Sequence, residues 1–152
     1  MIEKSVTQFH IGQEQIIVSQ SGAQSIALAI GSRIIAQYSR HIPPTEAEME
    51  NAIMLVEDEL SRIRHAVKHG ATLVTTDACI RDIAVIAGIP DQPHINLSRE
   101  LVEQTFNRLA AIVQGRPASL DAIPIHATFC ASLLILRECM HHLDFASIEI
   151  IK

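Results

Sequence analysis

Two short apolar runs meet across a glycine near the start of the chain. Lys4–Phe9 and Gln15–Gln20 flank a turn at Gly12, with Phe9-His10-Ile11 on one side and Ile16-Ile17-Val18 on the other. Runs of this length, rich in β-branched residues and bounded by a tight Gly-containing turn, pair as antiparallel strands. A third run, Gln24–Ile30, follows Ser21-Gly22. The chain therefore commits its first thirty residues to a three-stranded meander, and whatever follows must extend that sheet or cover it.

The rest is partitioned by Gly and Pro, which fall between periodic segments. Pro43-Pro44 blocks an early helix start, and Thr45 with Glu48 three residues later forms a capping box. The helix that follows carries Ala52, Ile53, Val56, Leu60, Ile63 and Val67 on one stripe. Its acids, Glu46, Glu48 and Glu50, sit early and its bases, Arg62, Arg64 and Lys68, sit late, as the helix dipole favours. Gly70 ends it. Ala71–Thr75 has the β-branched content of a buried strand and feeds a helix over Ala78–Ala87. Further helices are predicted over Ser98–Gln114, capped by Gly115, and over Ala127–Leu143. The closing Ser147–Ile151 is apolar on both faces apart from Glu149, the pattern of a covered strand. The order β-β-β-α-β-α-α-α-β predicts an α/β fold with a mixed five-stranded sheet and helices on its faces.

Size and charge narrow the function. At 152 residues and 48% hydrophobic content, residues 1–152 are expected to form a single domain. Twelve basic against seventeen acidic residues, a net charge of -5, leave no basic excess for nucleic acid or an anionic membrane surface. The N-terminus lacks the apolar core of a signal peptide, and the apolar stretch Ala127–Leu136 is far shorter than the ~20 residues that span a bilayer. Cys79, Cys130 and Cys139 are odd in number and form no Cys-x-x-Cys pair, which fits buried thiols in the cytoplasm. No Gly-x-Ser-x-Gly elbow is present. His65 and His69, four apart, and Cys139 and His142, three apart, have metal-ligand spacing but no recognisable third ligand, so solvated or core side chains are the simpler reading.

The run Thr7-Gln8-Phe9-His10-Ile11-Gly12, the turn, Ile16-Ile17-Val18 and then Ser25-Ile26-Ala27-Leu28-Ala29-Ile30-Gly31 resemble the second lobe of the exopolyphosphatase / guanosine pentaphosphate phosphatase (Ppx/GppA) family. That family belongs to the ribonuclease-H-like, actin-like ATPase group. In it a strand reading roughly "DIGGGSTE" runs into a second strand, and a third ends in a Ser-Met-Gly-like step where this chain has Ala29-Ile30-Gly31. Thr72-Leu73-Val74-Thr75-Thr76-Asp77-Ala78 stands at the family's "GASGT"-like strand and loop, Leu97–Leu109 resembles its next helix, and Ala131–Leu136 resembles its "GxAIL" helix.

The resemblance implies a phosphoanhydride hydrolase working in a cleft between two lobes, with Mg²⁺ or Mn²⁺ if active. It also implies what this chain lacks. The first lobe, whose "SGxEEA"-like segment supplies a proposed catalytic Glu, is expected to be absent. The family's Asp corresponds to His10, and Gly-Gly-Gly-Ser-Thr-Glu has shortened to Gly12-Gln13-Glu14-Gln15, so the Glu aligns with Gln15 or, if the turn shifts, Glu14. A phosphate loop works by letting backbone N–H groups approach the anion, which Gln13 and Glu14 obstruct. Thr75-Thr76-Asp77 replaces small residues in the second loop.

Glu14 and Asp77 are the candidates for residual catalysis, and with His10 the candidates for a divalent metal at the carboxyl ends of the strands. The simpler readings compete: Glu14 as an exposed hairpin residue, and Asp77 as a helix N-cap. The expectation favoured is a catalytically degenerate lobe that acts as a homodimer or through a partner supplying the missing lobe. The alternative is a phosphoanhydride hydrolase, or a binder of polyphosphate or guanosine polyphosphate, with its cleft completed by a second subunit.

Overall fold

A computed structural model describes residues 5–152. It opens with the expected meander, β1 (Val6–Ile11), β2 (Ile16–Gln20) and β3 (Ile26–Leu28). The predicted first strand began at Lys4, which lies outside the described residues. β1 and β2 pair antiparallel from Thr7 opposite Gln20 to Ile11 opposite Ile16, so the hairpin closes over Gly12–Gln15. A Cβ on Gly12 would lie 2.8 Å from the Gln15 carbonyl oxygen, which accepts the Gly12 N–H at 2.9 Å. The tightness of this turn is what requires glycine.

Helix α1 (Ser32–Ala36) follows, then α2 (Glu46–Ile63), β4 (Thr72–Thr75), α3 (Ala78–Ile86), β5 (His94–Ser98), α4 (Arg99–Val113), a 3-10 turn at Ala118–Leu120, α5 (Ala127–His142) and β6 (Ser147–Ile151). The capping box is present in full: the Glu48 N–H donates to Thr45 Oγ1 at 3.1 Å, and Glu48 Oε1 accepts the Thr45 N–H at 2.9 Å. The α2 stripe Ala52, Val56, Leu60 and Ile63 is buried as its spacing requires.

The strands form one mixed sheet in the order β3-β2-β1-β4-β6-β5. β1, β4 and β6 run parallel at its centre, while β2 and β5 are antiparallel to their neighbours. The sheet has six strands rather than the expected five. The extra one, β5, is the alternating segment His-Ile-Asn-Leu-Ser, whose Ile95 and Leu97 are fully buried and which pairs along its whole length with β6. Its five residues run from just after Pro93 to Ser98, itself the N-cap of α4, too short a run to stand out as a strand without its partner. Helix α1, one turn after Gly31, was likewise not expected, because five residues carry no period.

Burial alternates along every long strand, with Thr7, Phe9 and Ile11 inward on β1 and Ile148 and Ile150 inward on β6. The alternation sets one face of the sheet against the helices. The other face, with Gln8, His10, Asn96 and Ile151, is open to solvent. This corrects the expectation of helices on both faces and of a covered closing strand: Ser147 and Glu149 are only half-buried.

Helix α5 is the centre of the helical layer. The segment Phe129–Leu136 is buried on all sides, and α1, α2, α3 and α4 each pack against α5. A helix apolar all round is a core helix when it is this short. Among the described residues no helix is long and apolar enough to cross a membrane.

Candidate functional site

The carboxyl ends of β1 and β4 lie side by side, and the candidate residues gather there because the connections that carry them start or end at that edge of the sheet. The parallel ladder between the two strands stops at Gln8 opposite Val74. Beyond it Asp77 takes over. Its Oδ2 accepts the Ile11 N–H at 2.6 Å, and its Oδ1 lies 2.5 Å from His10 Nδ1. Asp77 occupies the N-cap position of α3, but its side chain caps nothing in that helix. It serves as a clasp between strands, satisfying a backbone donor that the splayed ladder would otherwise strand. The Asp77 N–H in turn donates to Thr75 Oγ1 at 3.1 Å, and Thr75 is buried.

Glu14 is exposed at the tip of the β1–β2 turn and is ion-paired with Arg33 on α1. His10 and Asp77 thus come together, whereas Glu14 turns to a partner on another element. A cavity of about 370 Å³ on the open face is lined by Gln8, His10, Ser19, Thr75, Thr76 and Asp77 among others. Gly12, Gln13, Glu14 and Gln15 do not line it.

The turn is tied down from the other side as well. The N–H groups of Ser32 and Arg33, at the start of α1, donate to the carbonyls of Gly12 and Gln13, each at 2.9 Å. Gly31 runs against the same turn so closely that a Cβ there would lie 2.3 Å from the Gln13 carbonyl carbon and 2.4 Å from the Glu14 nitrogen. The turn and the first turn of α1 are one packed unit.

The residues at this edge do not fit Mg²⁺ or Mn²⁺. Asp77 Oδ2 is held by the Ile11 backbone N–H and Glu14 is turned away to Arg33, so only Asp77 Oδ1 and His10 Nδ1 meet here. A hard cation needs several free oxygens converging on a point.

The described residues do hold a converging donor group elsewhere. Glu57 on α2 and Glu138 and His142 on α5 present one ligand atom each, all within 4.8 Å of one another. The three-residue spacing pairs His142 with Cys139, but Cys139 points into the core and Glu138, four residues before His142, shares its face. The i, i+4 spacing of Glu138 and His142 was the available signal; Glu57 could not be found without the fold. His65 and His69 lie beyond the end of α2 and are exposed, so they share no helix face.

The thiols are poor nucleophiles in place. Burial pushes Cys79 up to about 11 and Cys130 up to about 12, and raises Cys139 further, so all three stay protonated at neutral pH.

No family model and no curated protein matches the sequence. Solved structures match the fold. A Ppx/GppA phosphatase of Aquifex aeolicus, in a type II variant, superposes with a TM-score of 0.80 at 17% identity, covering 99% of this chain and 54% of that one. A second structure of the Aquifex aeolicus Ppx/GppA family member gives 0.76 at 17% identity over 99% of this chain and 53% of that one. An exopolyphosphatase from Cytophaga hutchinsonii gives 0.74 at 13% identity, covering 100% of this chain and 54% of that one. The chain therefore has the α/β, ribonuclease-H-like fold of one half of a Ppx/GppA protein, and it spans about half the length of the proteins it matches.

Proposed function

We propose that this chain is a Ppx/GppA-related lobe that has lost catalysis and acts in the cytoplasm through self-association or through a partner that supplies the opposing lobe. The observation that carries the reading is the clasp: the acid at the second phosphate loop, Asp77, spends both oxygens on Ile11 N–H and His10. Phosphoanhydride hydrolysis needs free donors around the phosphoryl oxygens and a group that positions water. Here the N–H groups of Gly12, Ser32 and Arg33 are already spent on carbonyls of the first turn, and the turn's one acid is tied to Arg33. The solvent-open sheet face around Gln8, His10, Asn96 and Ile151 favours action by association.

The second reading, hydrolysis or binding of polyphosphate or guanosine polyphosphate in a cleft completed by another subunit, is favoured by the cavity between His10, Thr76 and Asp77. Phosphate release from polyphosphate and pppGpp, with Mg²⁺ or Mn²⁺, decides between them. The expected result is no turnover for wild type and no thermal shift with either ligand. Turnover that Asp77→Asn or Glu14→Gln abolishes would overturn the degenerate reading. Light scattering tests association, with a mass above that of one chain expected.

A further inference from the structure

The cluster between α2 and α5 lies outside the phosphate-loop edge and is independent of how that edge is read. We propose that Glu57, Glu138 and His142 form a binding site for a divalent first-row transition cation, with Zn²⁺ the fitting occupant. Three features carry it. First, the donors are spaced for one ion: His142 Nε2 lies 3.1 Å from Glu138 Oε2 and 3.4 Å from Glu57 Oε1. Ligands at ~2.0–2.1 Å from a tetrahedral centre sit about 3.3 Å apart, close to both of these separations, and the three donor atoms all lie within 4.8 Å of one another.

Second, the donor set is mixed and held in place. One imidazole nitrogen and two carboxylate oxygens suit Zn²⁺, whereas Mg²⁺ or Ca²⁺ would call for oxygens alone. Glu138 is buried, and its other oxygen, Oε1, accepts from Arg137 Nη1 at 2.9 Å. Arg137 is fixed in turn by a two-pronged bond to Glu103, at 2.7 and 3.0 Å, and by the Phe106 ring beneath it at 4.2 Å. The carboxylate is thereby aimed before any ion arrives, which is how outer partners orient metal ligands.

Third, the cluster opens into a cavity of about 770 Å³ whose charge calls for a cation. Its walls carry four carboxyl groups, Glu57, Glu100, Glu103 and Glu138, against two guanidiniums, Arg99 and Arg137, an excess of two negative charges when all four are ionised and His141 and His142 are neutral. One divalent ion cancels that excess. Three protein ligands leave a fourth position facing the cavity, as in zinc sites that take up water or a small anion. A bound ion takes the place between His142 Nε2 and the two carboxylates, with the proton of the neutral imidazole on Nδ1.

The test is Zn²⁺ titration of the full chain, stripped first with a chelator, against a chromogenic competitor. One saturable equivalent is expected, together with a melting point roughly 5–10 °C higher at a hundredfold excess over Kd. His142→Gln and Glu57→Gln should each weaken binding roughly tenfold to a hundredfold. Both residues sit at the rim, so each variant is expected to fold, and melting without metal checks this. His69→Gln, an exposed histidine away from the cluster, should bind like wild type. Co²⁺ should show tetrahedral visible absorption that His142→Gln removes. Binding that survives both cluster variants, or the absence of any saturable equivalent, would overturn the site.

Discussion

Replacing Gly31 with alanine probes how firmly the first loop is fixed, and its cost follows from the geometry. Gly31 has φ -68° and ψ 176°, a conformation any residue adopts, so the backbone itself gives no reason for glycine. In open space the change would stabilise by about 0.4–1 kcal/mol through the unfolded chain. Space is what is missing. The new Cβ would meet the Gln13 carbonyl carbon at 2.3 Å and its oxygen at 2.4 Å, whereas non-bonded carbons rest at ~3.5–4.0 Å. The obstacle is backbone, so α1 must back away from the turn by more than an ångström. That separation breaks the bonds from Ser32 and Arg33 N–H to the carbonyls of Gly12 and Gln13.

Two such bonds at about 1 kcal/mol each, with about 1–3 kcal/mol for overpacking, give a loss of roughly 3–5 kcal/mol. For a chain of 152 residues this lowers the melting point by roughly 6–20 °C. The urea midpoint should fall with the slope unchanged. Gly22→Ala is the control, since Gly22 has φ +76° with nothing near its Cβ, and its cost should stay near 1–2 kcal/mol. If Gly31→Ala melts no lower than Gly22→Ala, the turn and α1 are not packed as described.

Asp77→Ala removes the acceptor for Ile11 N–H and should cost about 2 kcal/mol by urea unfolding; a loss below ~0.5 kcal/mol would mean that the clasp contributes little. Thr7 Oγ1 is buried without a hydrogen-bond partner among the described residues, so Thr7→Val should raise stability by about 1 kcal/mol, and a lower melting point would contradict this. Asp121 is held at about 2 by its paired bonds to Arg108, and Glu48 at about 2 by the backbone N–H groups of Arg40 and Thr45. Both lie below their unfolded values, so the unfolded chain takes up protons first on acidification. Their stabilisation is complete above about pH 4.5 and is lost as pH falls toward 2. Urea midpoints at falling pH should show this loss, and Asp121→Asn should flatten it; an unchanged acid limb in that variant would refute the assignment.

Much of the fold was legible because its determinants are local. The meander follows from Gly12 and Ser21-Gly22, the start of α2 from Thr45 and Glu48, and its inward stripe from the 3-4 spacing. What escaped was structure that exists through its partner. β5 is too short to stand alone and is made by pairing with β6. The five-residue α1 is held by carbonyls of a turn that lies well before it in sequence.

The candidate site divides the same way. The sequence placed His10, Thr75, Thr76 and Asp77 near one edge of a sheet, because strand order and chemistry are written locally. The direction of the Asp77 side chain was not, since N-cap and clasp begin from the same position and differ only in whether a distant strand offers a free N–H. Glu57, Glu138 and His142 carry the point furthest. Their residue types and the spacing of the last two stand in the sequence, but the meeting of α2 with α5 is set by the burial of both helices' apolar residues in one core. The sequence alone determined which segments become strands and helices and which groups they carry; the tertiary structure decided which of those groups meet, because donors far apart in the chain converge only where the burial of apolar faces brings their elements together.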